Sequence, residues 1–224
     1  MGTIRVTGKG KASVRPDRIQ LFLTISELCK KYEDTVAMSS KMTAAMKSAL
    51  EQAGFEATAL KTMDFAIDSE EKGYQNKQGI WTSKPVGYRF RHELKLEMDA
   101  DNVLLGKALT AITDSGVSAS FRIRYTVKDP DECRNQVLKA AVSDSKGKAE
   151  LLAEQAGMRL GSIVTIDYSW GDVELYTEPM GRSMKCMSVD CAGEEAANGG
   201  FSMEADDIRV TDTVTIVWNL DDAR

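Results

Sequence analysis

The run Val86–Met98, "VGYRFRHELKLEM", alternates from end to end. On an extended chain Tyr88, Phe90, His92, Leu94 and Leu96 share one face, and Arg89, Arg91, Glu93, Lys95 and Glu97 share the other. A strand with one apolar and one charged face belongs in a sheet covered on one side only, the usual situation of antiparallel sheets.

The same period of two runs through residues 4–14 and again through Ile19, Leu21, Leu23 and Ile25, with Pro16-Asp17 between them. This predicts two strands joined by a short turn. Leu60–Asp68, Ser120–Val127, Ser162–Tyr168 and Val210–Leu220 read as further strands, and "SEEKGYQNKQGIWTSKP" reads as a polar hairpin connection longer than a tight turn needs. Over Tyr32–Ala53 the period lengthens: Met38, Met42, Ala45, Met46 and Ala49 recur at helical spacing, and Gly54 is a stop signal. The methionine stripe reads as core packing rather than a peptide groove or copper site. A second helix is expected over Asn102–Ser115, with Leu104, Leu105, Ala108, Leu109 and Ile112 inward. The longest helix starts at "DPDE", with Asp129 as N-cap and Pro130 in the first turn, and runs to Ala156 before Gly157.

The resulting order, ββαββαβαββ, is an α+β pattern of antiparallel sheet with helices packed on one face. It is expected as one domain over residues 1–224, or two lobes of it. Residues 171–205 hold Gly, Met, small residues and acids without a sustained period and read as a long flexible loop before the last strand. One echo stands out. "LEQAGFEATALKTMDF" and "AEQAGMRLGSIVTIDY" both run helix, Glu-Gln-Ala-Gly, strand, either as shared helix-stop grammar or as a duplicated unit.

The net charge of −5 argues against a nucleic-acid partner, and no apolar run approaches the 18–20 or so residues that span a bilayer. With no leader before Ile4, the expected location is cytoplasmic, the alternative being the cell envelope with a signal peptide removed.

Candidate chemistry is sparse. Gly8-Lys9-Gly10 fits neither a Walker loop nor a dinucleotide fingerprint, because Lys11-Ala12 and Ser13 stand where those motifs need other residues. The glycines read instead as a bulge or as room for close strand packing. His92, the sole histidine, lies on an apolar strand face and is expected as a structural, partly buried ring. The acid pairs Glu70-Glu71, Glu194-Glu195 and Asp206-Asp207 read as solvated, since neighbours on an extended chain point apart. Cys29, Cys133, Cys186 and Cys191 follow no metal spacing; free thiols are expected, although a flexible loop could close Cys186 and Cys191 into a disulfide. No catalytic, cofactor or metal residues are assigned.

Several segments together resemble the SIMPL domain family: Ile4-x-Val6-x-Gly8-x-Gly10 through Val14-x-Pro16-Asp17; "PVGYRFRHELKLEMDADNVLLGKALTAITDSGV"; "RYTVKDPDECRNQVLKAAVSDSKGKAELLAEQAGMRLGSIVTIDYS"; and the closing "DIRVTDTVTIVWNL". The likeness covers nearly the whole chain outside residues 171–205. It implies helices packed on antiparallel sheet. It also implies a family of unknown biochemical function, whose bacterial members are mostly exported to the envelope, some with links to oxidative-stress defence or ring-like oligomers, and whose animal relative is a cytoplasmic kinase-associated adaptor.

The expectation is therefore a non-enzymatic binding or assembly protein, a homo-oligomer with an unidentified protein partner, self-associating through sheet edges or the long loop and stress-related. The alternatives are a small-molecule- or metal-binding enzyme with its site near His92 or the 171–205 loop, and a redox-responsive protein using Cys186, Cys191 and the loop methionines.

Overall fold

The structure is a computed structural model that describes residues 2–75, 78–169, 175–178, 184–185 and 203–222. In chain order the elements are β1 (Gly2–Val14), β2 (Arg18–Cys29), α1 (Tyr32–Gln52), β3 (Leu60–Gln75), β4 (Trp81–Asp99), α2 (Asn102–Asp114), β5 (Ala119–Thr126), α3 (Pro130–Gln155), β6 (Met158–Asp167), the two-residue strands β7 (Tyr176–Thr177) and β8 (Met184–Lys185), and β9 (Ile208–Asp222). The fold is α+β with antiparallel sheets, in the order the sequence pattern gives. The chain divides into two compact units.

The first unit is built on a three-stranded sheet, β1-β9-β6, antiparallel throughout, with α3 packed on it. Asp129 caps α3 by accepting the Glu132 amide at 2.9 Å, and Pro130 opens the first turn. The helix buries Cys133, Val137, Ala141, Ser145, Ala149 and Ala153, every fourth residue and mostly small. That slender stripe lets the helix backbone come down onto β1. Against it lie Val6 from β1 and Val214, Ile216 and Trp218 from β9, followed by a second cluster of Val127, Val137, Leu175, Ile208 and Val210.

Gly8 and Gly10 are what that approach requires. A β-carbon built on Gly8 would lie 2.0 Å from the Ala141 carbonyl oxygen, and one on Gly10 would lie 2.0 Å from that of Val137. Pairing of β1 with β9 continues without a register shift from Gly2 to Val14, so the glycines make room for the helix and form no bulge. The helix also bonds to the strand: Ser145 Oγ donates to the Val6 carbonyl at 3.1 Å, and the Lys9 amide donates to Asp144 Oδ2 at 2.7 Å.

In the second unit β4 pairs antiparallel with both β2 and β3, and β5 lies on the far side of β2. Helices α1 and α2 cover the face that carries Ile19, Leu21, Leu23, Ile25, Leu94 and Leu96, all essentially inaccessible. The opposite face is a lattice of exposed ion pairs, Arg91 to Glu93 and Lys95 to Glu97 among them. The inward stripe of α1 differs from expectation. Thr35, Ser39, Met46 and Leu50 are buried, whereas Met38 is exposed. The first turns of α1 therefore present hydroxyls to the sheet, and the methionine stripe is core only at Met46.

Both units share one topology. In each, a strand, a helix, an edge strand and a strand that inserts between the other two come in that order along the chain. They are β1, α3, β6 and β9 in the first, with β2 to β5 intervening between β1 and α3 and the short β7 and β8 between β6 and β9, and β2, α1, β3 and β4 in the second. The Glu-Gln-Ala-Gly echo falls at the same place in both, at the C-terminal end of the helix that precedes the edge strand. Shared topology at that position favours a duplicated unit over coincidence of helix-stop grammar.

Candidate functional site

Two places in the second unit concentrate what a site could be made from. The first is His92. It sits on β4 opposite Ile25 of β2 and Phe65 of β3, under α1. Its Nδ1 lies 2.9 Å from Ser39 Oγ and 3.2 Å from Thr43 Oγ1, both on α1, and its Nε2 lies 2.9 Å from Thr62 Oγ1 on β3. Phe65 meets the ring edge-on at a centroid distance of 5.2 Å. Burial lowers the affinity of the ring for a proton, and the Lys47 charge on α1 lowers it further.

A serine hydroxyl beside an imidazole is half of a nucleophile–base pair. Here Ser39 is only 3% exposed, and among the described residues the ring is held by hydroxyls with no carboxylate to orient it. The geometry is that of a clasp binding α1 to the sheet, the structural histidine that its strand position implies.

The second place is the far end of the β3–β4 hairpin. β2 stops at Cys29, opposite Tyr88, but β3 and β4 stay paired from Ser69↔Tyr88 out to Gln75↔Trp81. The segment read from sequence as a polar connection is thus a two-stranded arm running past the sheet, about 20 Å long at 3.4 Å per residue. Cross-strand contacts hold it: Arg89 with Glu70, Ser83 Oγ donating to Glu71 at 2.6 Å, and the Lys84 ammonium 5.8 Å from the centre of the Tyr74 ring. The bond from Arg89 keeps the Glu70 carboxyl below the usual carboxylate range. Gly87 lets the arm pass the end of β2, since a β-carbon there would lie 2.2 Å from the Cys29 carbonyl oxygen. Near the tip Trp81 is 74% exposed and Ile80 59%. Hydropathy could not have revealed the arm, because its stability comes from pairs between residues that look like loop in isolation.

The other candidates do not converge. Among the described residues no three His, Cys, Asp or Glu side chains are placed to share a metal ion. Cys29 and Cys133 are buried free thiols, and burial pushes both pKa values up. Cys186, Cys191 and the acid pair Glu194-Glu195 lie outside the described residues, as does most of the expected 171–205 loop. A cleft of about 650 Å³ near the C-terminal end of α1 holds Arg18, Lys61, Lys95, Glu97 and Asp99, but Arg18 pairs with Asp99 at 3.1 Å and Lys95 with Glu97 at 2.9 Å. Among the described residues no helix is long and apolar enough to cross a membrane.

Strand β6, an edge of the first sheet, exposes Ile163, Val164 and Ile166 beside two register irregularities. Irregularities of that kind are a common way of blunting an edge against unwanted pairing.

Against known proteins, the model of a family described as "SIMPL: Protein of unknown function (DUF541)" matches residues 4–218. The chain is also similar to the "26 kDa periplasmic immunogenic protein" of Brucella melitensis biotype 1 and to its counterpart in Brucella abortus strain S19. Each is 26% identical over 164 residues, covering 73% of this chain and 65% of the relative.

Proposed function

The chain belongs to the SIMPL family, and from that premise we propose that it is a non-enzymatic binding and assembly protein of the cell envelope that self-associates through exposed strand edges. The observation that carries this reading is the β3–β4 arm with Trp81 74% exposed near its tip. A two-stranded ribbon is marginal in water by itself, so an arm bearing large exposed apolar side chains fits burial against another surface. Aromatic side chains of this size are the usual anchors of protein interfaces, and unpaired strand edges are templates for addition of a further strand.

The envelope location is supported by the periplasmic designation of the Brucella relatives, of which this chain spans 65% of the length. A stress-related role belongs to the same reading through the family resemblance. A catalytic role centred on His92 is disfavoured by the closed position of Ser39.

Size-exclusion chromatography with light scattering tests the assembly role. The unchanged chain should form a defined oligomer, and a variant with residues 71–85 replaced by a two-residue turn should be monomeric. A monomeric unchanged chain at high concentration overturns the reading.

A further inference from the structure

The cleft near the C-terminal end of α1 keeps two charges that its internal ion pairs leave over. It lies wholly within the second unit, between the turn that follows α1 and the last residues of β4. Strand β3 joins β4 only from Leu60↔Leu96, whereas β2 stays paired with it as far as Arg18↔Asp99. Glu97, Met98 and Asp99 therefore have a strand on one side and, among the described residues, the cleft on the other. A length of strand edge is thus open to a concave site.

The charges of the cleft divide unevenly. Arg18 is taken by Asp99 and Lys95 by Glu97, which also accepts from Gln20 Nε2 at 2.8 Å. Lys61 stands directly opposite Lys95 across the β3–β4 ladder, a like-charge pairing that is unfavourable by itself. The bond from Lys95 holds the Glu97 carboxyl below the usual carboxylate range, with a smaller contribution through space from Lys61. Among the described residues neither Lys61 nor Glu56 has an ion-pair partner, although both line the cleft. Glu56 opens a turn that the Ala59 amide closes by donating to the Glu56 carbonyl at 2.9 Å, so that turn separates it from Lys61. The wall also carries apolar side chains, with Phe55 and Leu104 half-buried and Met98 buried.

We propose that this cleft binds a short peptide with both termini free. Lys61 holds its carboxylate and Glu56 its ammonium, while the open edge of β4 at Glu97–Asp99 pairs with its backbone. Phe55 and Leu104 receive an apolar side chain. A leftover cation alone would suit any anion, and a leftover carboxylate any cation. Both in one cleft, beside an open strand edge and an apolar wall, select a zwitterion with main-chain amides. A volume of about 650 Å³ lies in the range of small-ligand pockets and limits the peptide to a few residues. The arm lies at the opposite end of the β3–β4 hairpin, so the inference goes beyond the assembly reading and does not depend on it.

The test is isothermal titration calorimetry on the full chain, with the tripeptide Ala-Leu-Ala and its N-acetyl and C-amide derivatives as probes. The tripeptide should bind, and each derivative should bind about tenfold more weakly, since each lacks one terminal charge. Lys61→Met should weaken the tripeptide as much as amidation does and leave the affinity of the amide unchanged. Glu56→Gln should stand in the same relation to acetylation. Both side chains are exposed, and unchanged thermal melting of each variant separates loss of the site from loss of the fold. No binding of the tripeptide, equal affinity for its derivatives, or a Lys61→Met chain that still discriminates against the amide overturns the proposal. Free leucine or acetate binding as tightly as the tripeptide reduces the cleft to an amino-acid or small-anion site and also overturns it. Oligomeric state is read separately by light scattering, so failure of the assembly reading and failure of this one are distinguishable.

Discussion

Gly8 lies against α3 so closely that a β-carbon on it would fall 2.0 Å from the Ala141 carbonyl oxygen and 2.5 Å from the Ser145 amide nitrogen. Neither atom belongs to a side chain that can turn aside, so a substitution there must move the helix. Gly8→Ala is expected to destabilise by about 3 kcal/mol in urea titration, the upper part of the range for overpacking. A β-carbon on Gly147, within α3, would meet nothing within 4 Å. Gly147→Ala should therefore stabilise by up to about 1 kcal/mol through helix propensity alone. Equal effects of the two substitutions would refute the close-packing account of Gly8.

The His92 clasp makes stability depend on pH. Burial and Lys47 hold its pKa below 6.5 in the folded chain. The unfolded chain then takes up the proton first, and folding stability falls as pH drops below about 6.5 toward the folded value. Above that range the contribution is fully present. Urea unfolding at about pH 7.5 and about pH 5 should show a decline that is smaller in His92→Gln. An identical decline in that variant would assign the pH dependence to other groups.

Two tryptophans provide a contrast between surface and core. Trp218 is 4% exposed in the core of the first unit, and Trp81 is 74% exposed on the arm. Trp218→Ala should cost about 3–5 kcal/mol. Trp81→Ser should change folding stability by no more than about 0.5 kcal/mol while weakening self-association in light scattering. A large stability loss at Trp81 without any change in oligomeric state would make the arm a structural element rather than an interface.

Asp129 closes the start of α3 through the Glu132 amide. Asp129→Ala should cost about 1 kcal/mol, and Asp129→Ser should recover most of it, both read from chemical denaturation midpoints. Failure of serine to rescue would show that the carboxylate acts through its charge rather than as a cap.

Much of the fold was legible because its signals are local. Alternation placed β4 and set which face of it is apolar, and the capping group of α3 with Gly157 after it fixed that helix to within a residue or so. His92 as a structural ring was readable from its strand face, but its hydroxyl partners were not. Ser39 and Thr43 come from a helix and Thr62 from a neighbouring strand, and polar residues in a helix give no periodic signal of burial. The same limit misassigned Met38, which is exposed where hydroxyls turn inward.

By itself the sequence determined the α+β class, the element order and the capped start of α3, because each follows from the residues along one segment. Only the tertiary structure decided that Gly8 and Gly10 make room for a helix rather than a bulge, that a polar stretch is a paired arm, and that Arg124 and Arg122 both face Glu178. Those outcomes depend on atoms brought together from distant segments, where close approach and cross-strand pairing override what each segment shows alone.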